Sequence, residues 1–257
     1  MQSFTYFDTE IQAFFLSIIG LIVGSFVSLV SYRLVTKEPI IWGRSKCPSC
    51  HHKLPVRSLL PLLSWLIQRG KCIFCQAKIS YRYPLIELFS ALGFVVTFIV
   101  LDKKIDIKLL IYLAIYTTMF IMIIVDLEHY FIPNILQYLL GFLAAMLVIN
   151  NGGMSSIIHG VKPALAYAGI GLIIWIFFYY SAGIDGLGID DLKFFLIAGF
   201  MLGLQNIFLF LLLSGLLGAV FGALWQKIKN DETFPFAPAI CISAYICLLI
   251  GKPILYS

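Results

Sequence analysis

Charge is scarce in this chain. Asp, Glu, Lys and Arg make up 12% of its 257 residues, about half the share of an ordinary soluble domain. Acids are the scarcer sign, with 13 Asp and Glu against 18 Lys and Arg. A fold kept in solution by a charged surface is excluded on that count. The chain also lacks a basic stretch ahead of its first apolar block, where only the acids Asp8 and Glu10 carry charge. A secretory signal needs such a stretch, then a short apolar core and a small-residue cleavage site, so the first block reads as a retained span. Low-complexity tracts and internal repeats are missing too. What fills the chain instead is apolar residues, 61% of the total, arranged in long blocks. About 18 or more apolar residues in a helix rising about 1.5 Å each cross a hydrocarbon core about 30 Å thick.

The expected fold is an all-α polytopic membrane protein with about eight transmembrane helices and a small cytoplasmic zinc-binding loop. The predicted spans lie near 11–31, 84–101, 109–125, 135–149, 164–181, 193–205, 207–225 and 237–251. The sixth and seventh read as a hairpin broken at Gln205-Asn206. Three regions follow: a first span over 1–32, a loop over 33–83 and a helix bundle over 84–257. Between Arg33 and Arg82 there are ten Lys or Arg and one acid, Glu38. The positive-inside rule puts this loop in the cytoplasm. Its basic character serves topology or contact with anionic lipid in preference to nucleic acid, which is not an expected partner. The amino terminus is then outside, and 126–134, 182–192 and 226–236 are inside.

A loop of about fifty residues is too small for a large core of its own, and such domains commonly rely on a metal or disulfides. The loop contains Cys47-Pro-Ser-Cys50 and Cys72-Ile-Phe-Cys75. Two CxxC turns about twenty residues apart are a zinc spacing, each turn supplying two thiolates to a tetrahedral shell. A closed four-thiolate shell leaves no position for water, so zinc on Cys47, Cys50, Cys72 and Cys75 is structural. The competing reading is a pair of redox-active or unpaired motifs; a cytoplasmic location disfavours stable disulfides. His51 and His52 are read as neighbours of the first turn, and Cys241 and Cys247 as packing residues of the last span.

Acids at span ends are costly and are functional candidates for that reason. Asp126 closes the third span, Asp185, Asp190 and Asp191 lie between the fifth and sixth, and Glu87 begins the second. Two crossings separate Asp126 from Asp190-Asp191, and an even number returns the chain to the same face. Asp126 and Asp191 are therefore expected to meet at the cytoplasmic edge. Two adjacent carboxyls share a proton. One draws a proton from water while the other protonates or polarises a peptide carbonyl, the minimum apparatus of an aspartic peptidase. The helix dipole suggests roles: Asp126 at a carboxyl end as the acid, Asp191 at an amino end as the base. The plainer readings are that Asp190 or Asp191 caps the sixth helix, that Glu128 and Asp185 are solvated charges, and that Gly183, Gly186 and Gly188 form a linker. Otherwise these glycines serve positive φ or close approach to a bound peptide.

Several further segments carry a resemblance. They are Gly24-Ser-Phe26 through Tyr32-Arg33-Leu34, then Ser45-Lys-Cys-Pro-Ser-Cys50, Leu63-Ser-Trp65, Arg69-Gly-Lys-Cys72 and Ile79-Ser-Tyr-Arg-Tyr-Pro84-Leu-Ile-Glu87. Asp126 with Ile132-Pro133, Gly186-Leu-Gly188 to Asp191-Leu-Lys193, and Pro235-Phe-Ala-Pro238 complete the order. Together they resemble the type IV prepilin peptidase family, bacterial leader peptidases of the aspartic GxGD type, over nearly the whole chain. The resemblance implies cleavage of the leader from type IV prepilins or type II secretion pseudopilins at the cytoplasmic face of the bacterial inner membrane. It further implies N-methylation of the new amino terminus with S-adenosylmethionine. By it Asp126 and Asp191 are catalytic, and the four loop cysteines hold zinc. The chain departs from the pattern in four places: Asp190 replaces the second glycine of Gly-x-Gly-Asp, Asn134 an aspartate, Ser28 an asparagine and Arg57-Ser58 an Asp-Asn. Glu87 is open to a part in methylation or to an ion pair with Arg82 or a neighbour. Two other readings use the same residues: a peptidase without methylation, and a non-catalytic assembly or transport protein whose zinc loop docks partners.

Overall fold

Helix is what apolar sequence of this length must form where water is absent, because every backbone N–H and C=O then finds its partner inside the segment. A computed structural model describes residues 2–40, 42–101, 103–182, 187–229 and 233–251. Asp102, Gly183, Asp185 and Gly186 lie outside them. The helices are α1 (Gln2–Thr36), α2 (Leu63–Ile67), α3 (Arg82–Val100), α4 (Ile107–His129), α5 (Asn134–Gly152), α6 (Ser156–Ala182), α7 (Ile189–Leu202), α8 (Ile207–Lys229) and α9 (Ala237–Ile250). Among the described residues there is no strand, only two isolated bridges, Lys46 with Lys53 and Lys71 with Lys78.

Among the described residues, six helical segments are long and apolar enough to cross a membrane: Thr9–Thr36, Arg82–Val100, Ile107–His129, Asn134–Gly152, Ser156–Ser181 and Leu204–Lys229. They coincide with six of the eight predicted spans. The predicted sixth and eighth correspond to α7 and α9, of 14 residues each. At about 1.5 Å per residue these reach about 21 Å, short of the hydrocarbon thickness. Helix length alone accounts for six of the eight expected crossings. The protein is a multi-pass membrane protein.

The chain divides into two compact units, Met1–Ile105 and Asp106–Ser257. In the first, α1 lies against α3. A Cβ added to Gly20 would stand 2.6 Å from the Ala91 Cα, and one added to Gly24 2.6 Å from the Glu87 Cα. The Gly-x-x-x-Gly spacing thus lets two backbones meet, as small residues do between membrane helices. Arg82 donates from Nη1 to the Ser28 Oγ at 3.1 Å and from Nη2 to the Ser31 Oγ at 2.8 Å. Arg33, nearly buried at the end of α1, gathers the chain that leaves it. Its guanidinium donates to the carbonyls of Pro39 and Ile40 at 2.9 Å, Gly43 at 3.2 Å and Trp42 at 3.4 Å.

In the second unit α4 packs against α5 and α9, α7 against α5, α6 and α9, and α8 against α9. Asp106 starts α4 as its N-cap, accepting the Leu109 N–H at 2.8 Å. Tyr130, left-handed at φ 58°, stops it. Tyr167, Phe195 and Phe210 are fully buried against one another, with ring centroids 5.2–5.4 Å apart. The amino end of α9 meets the carboxyl end of α4, where the Ala237 N–H reaches Asp126, and α7 packs against α9.

Candidate active site and metal centre

Asp126 sits one turn before the end of α4 and is 6% exposed. Its Oδ2 accepts the backbone N–H of Ala237 at 2.8 Å. Ala237 is the first residue of α9, so the carboxylate closes the amino end of a second helix. Pro238 follows at the next position, where a missing N–H costs nothing. The approach of α9 depends on α8. Phe236 lies over Gly218, where a Cβ would meet its ring at 2.8 Å, and Phe234 lies over Gly222 one turn on, at 3.2 Å. A glycine groove on α8 thus receives the two phenylalanines and sets Ala237 against Asp126.

Asp191 is the third residue of α7, and Gly188 is the N-cap. Its Oδ2 reaches back to accept the Gly188 N–H at 3.0 Å, the acidic half of a capping box. The carboxyl is half-buried and lies outside the six spans. Burial first, then the charges of Asp126 and Asp190, raise it to about 7, against the pull of the Gly188 N–H. Cys241, one turn into α9 and fully buried, is within electrostatic reach of both Asp126 and Asp191. Asp126, Asp191 and Cys241 therefore lie within electrostatic reach of one another. Gly188 has φ of −72°, and a Cβ there would be in ordinary contact, 3.4 Å from the Asp191 Oδ2. Its place in the turn does not require glycine's conformational freedom.

The helix-end argument for separate roles loses its basis here. Asp126 belongs to the carboxyl end of α4, but its oxygen lies at the amino end of α9. Both carboxylates thus sit at helix amino ends, where the dipole favours the anion alike.

Among the described residues, the Asp190 side chain caps no helix. Its Oδ1 forms an ion pair with Lys193 Nζ at 2.9 Å, and its carbonyl accepts from Gln137 Nε2 at 3.1 Å. Lys193 Nζ also donates to the Asn134 Oδ1 at 2.8 Å. Asn134 and Gln137 lie three apart on α5 and so share a face. Two positions where the chain departs from the family pattern, Asn134 and Asp190, are thus joined by one lysine, and the additional carboxylate is engaged beside the aspartate pair.

In the loop, the sulfurs of Cys47, Cys50, Cys72 and Cys75 all lie within 4.8 Å of one another, with those of Cys47 and Cys75 3.8 Å apart. Four thiolates at about 2.3 Å from one zinc ion stand about 3.8 Å from each other, so the cluster has the size of a tetrahedral metal site. The Cys50 backbone N–H, with that of Ser49, pulls the Cys47 thiol down to about 6 in spite of burial. The two turns are copies. In each, the first cysteine's N–H bonds to a carbonyl five residues on (His52, 3.0 Å; Ala77, 2.9 Å) and its carbonyl accepts an N–H four residues on (His51, 2.9 Å; Gln76, 3.0 Å). His51 and Gln76 both take positive φ. Lys-Cys-x-x-Cys-x-x-Lys at 46–53 and 71–78 is an eight-residue internal repeat, which corrects the expectation that the chain has none.

Glu87 accepts the Leu62 N–H at 2.8 Å and meets Ser25. Ser28, where the family pattern has an asparagine, is the hydroxyl that receives Arg82. Arg57-Ser58 forms a single 3-10 turn.

The profile of the Bacterial Peptidase A24 N-terminal domain matches residues 18–101, and that of the Type IV leader peptidase family matches 113–223. The chain is 34% identical to a prepilin leader peptidase/N-methyltransferase of Bacillus subtilis (strain 168), covering 93% of this chain and 95% of that one. Proteins of the same name from Stutzerimonas stutzeri and Aeromonas salmonicida (strain A449) are 30% and 32% identical. Those matches cover 92% and 91% of this chain, and 90% and 89% of theirs. No solved structure matches.

Proposed function

The chain belongs to the type IV leader peptidase family, and from that membership we propose that it is a membrane aspartic endopeptidase. It removes the leader from prepilins or pseudopilins and N-methylates the amino terminus so exposed. Relatives alike over nearly their whole length carry both activities in their names. The observation that carries the peptidase reading is that Asp126, seated on the Ala237 N–H, and Asp191 lie within electrostatic reach of each other.

Asp126 and Asp191 hold one proton between them, because two neighbouring carboxylates do not both ionise readily. The ionised member takes a proton from a water molecule, whose oxygen attacks the scissile carbonyl. The protonated member donates to the carbonyl oxygen as the tetrahedral intermediate forms. On collapse the C–N bond breaks and the amine leaves with a proton, freeing the amino terminus for methylation. The protons belong to the pair, so neither residue is given a fixed role. The Ala237 and Gly188 N–H groups orient one oxygen of each carboxyl and keep the reacting oxygens in register.

The positive-inside rule supports a cytoplasmic active site, in the bacterial inner membrane. Cys47, Cys50, Cys72 and Cys75 hold zinc, which supplies a folding cross-link in a loop too short to fold by burial alone. S-adenosylmethionine is the methyl donor, as the resemblance implies, and we assign no residues to it. Incubation of the purified protein with a prepilin and labelled S-adenosylmethionine, followed by mass analysis of the pilin amino terminus, tests the whole reading. A shortened, methylated pilin is expected. An uncut prepilin refutes the peptidase, and a cut but unmethylated one reduces the protein to a peptidase alone.

A further inference from the structure

Helix α2 has five residues, and only one of its apolar side chains faces inward. Trp65 lies against Gly70, where a Cβ would stand 2.8 Å from its ring. It donates to the Ile79 carbonyl at 3.3 Å and lies 5.0 Å from the Tyr81 ring. With Trp65 pinned, Leu63, Leu66 and Ile67 point the other way. Their spacing puts them on one helical face, and they are 57%, 61% and 77% exposed. Leu59 and Leu60, just before, are exposed as well. A contiguous apolar face of this kind is unusual on a surface that meets only water.

The depth of this face is fixed by one bond. Leu62 bends the chain at φ 58° and gives its N–H to the Glu87 carboxylate at 2.8 Å. Glu87 is five residues into the span Arg82–Val100, about 7 Å along its axis. Amphipathic segments that lie on membranes bury their apolar face about 5–10 Å into the boundary between headgroups and acyl chains. The same segment is flanked by the exposed cations Arg57, Arg69 and Lys71, and it carries no acid between Arg57 and Lys71.

We propose that residues 59–67 form a membrane-interface anchor that seats the four-cysteine loop on an anionic lipid surface. The leucines and Ile67 enter the acyl boundary, and the flanking cations meet lipid phosphates. A protein partner would also cover an apolar face, but the Leu62–Glu87 bond sets this one at the level of a span, where lipid is the neighbour at hand. The inference stands on the first unit alone and does not depend on the peptidase reading.

The test uses the full-length protein with Ile67→Trp in lipid nanodiscs, with or without bromine on the acyl chains near the headgroup. The wild type in the same discs supplies the baseline of its four tryptophans, and metal content checks that the loop is folded. In phosphatidylglycerol discs the added emission should fall by about twofold or more on bromination. A smaller fall overturns the proposal, and so does emission that responds to added prepilin but not to brominated lipid. At low salt the quenching should weaken in phosphatidylcholine discs. Equal quenching in both lipids overturns the assignment to anionic lipid.

Discussion

The charge beside the aspartate pair gives a prediction with a definite sign. Asp191 titrates beside Asp126 and Asp190 and its carboxyl stands near 7, while Lys193 pairs with Asp190. The active pair carries one proton, so activity should fall as pH rises through the pair's upper value. Asp190→Asn removes a negative neighbour, makes the second ionisation easier and moves that alkaline limb to lower pH. Lys193→Met removes a positive neighbour and moves it to higher pH. The side chains of Lys193 and Asp190 are 45% and 34% exposed, so solvent screens them, and interactions of this class are worth about 0.2–1 kcal/mol. One pKa unit is about 1.4 kcal/mol, which gives an expected displacement of about 0.2–0.7 unit in each direction. The double variant should return close to the wild-type limb, because the two charges removed are opposite. The assay is kcat/KM for prepilin cleavage by the purified protein across about pH 5 to 9. Displacement of both single variants in the same direction, or of neither, would refute the reasoning.

Other consequences follow from the packing. Gly218→Val pushes Phe236 off α8 and with it the Ala237 N–H, a hydrogen bond to a charged group worth about 1.5–3 kcal/mol. Cleavage should show kcat lowered about tenfold or more with KM little changed; an unchanged kcat would detach α9 from the chemistry. Cys75→Ser, or a strong chelator, should remove about one zinc per chain and with it the hydrogen-exchange protection of the Cys47 and Cys72 amides, as metal analysis and exchange mass spectrometry would report.

Much of this architecture is legible before any coordinates. Apolar blocks of the right length read as spans because hydrocarbon leaves the backbone no other choice. The four cysteines announce themselves because a tetrahedral ion needs two pairs of thiolates at short spacing. The parity of crossings brings Asp126 and Asp191 to one face without knowledge of their geometry. What escapes is of another kind. The partner of Asp126 is the N–H of Ala237, 111 residues away, and a backbone N–H has no signature in sequence. Pro238 and the glycines Gly218 and Gly222 were the only signal of it. Asp190 and Asn134 read as separate departures because the lysine that joins them acts across helices. The helix-end argument did not anticipate that the Asp126 oxygen lies at the amino end of α9, since a carboxylate responds to the helix its oxygen touches and not only to the one its Cα belongs to. The predicted sixth and eighth spans, near 193–205 and 237–251, are as short as α7 and α9 themselves, so apolar composition and not length marked them as crossings.

The central claim is that Asp126 and Asp191 together hydrolyse the leader peptide bond. Asp126→Asn and Asp191→Asn keep shape and hydrogen-bonding capacity while removing the shared proton's second site, so the most direct measurement is prepilin cleavage by each purified variant beside the wild type, with folding checked by metal content. Each single variant should lose activity to the uncatalysed background while retaining its zinc. Cleavage at the wild-type rate by either folded variant would contradict the account.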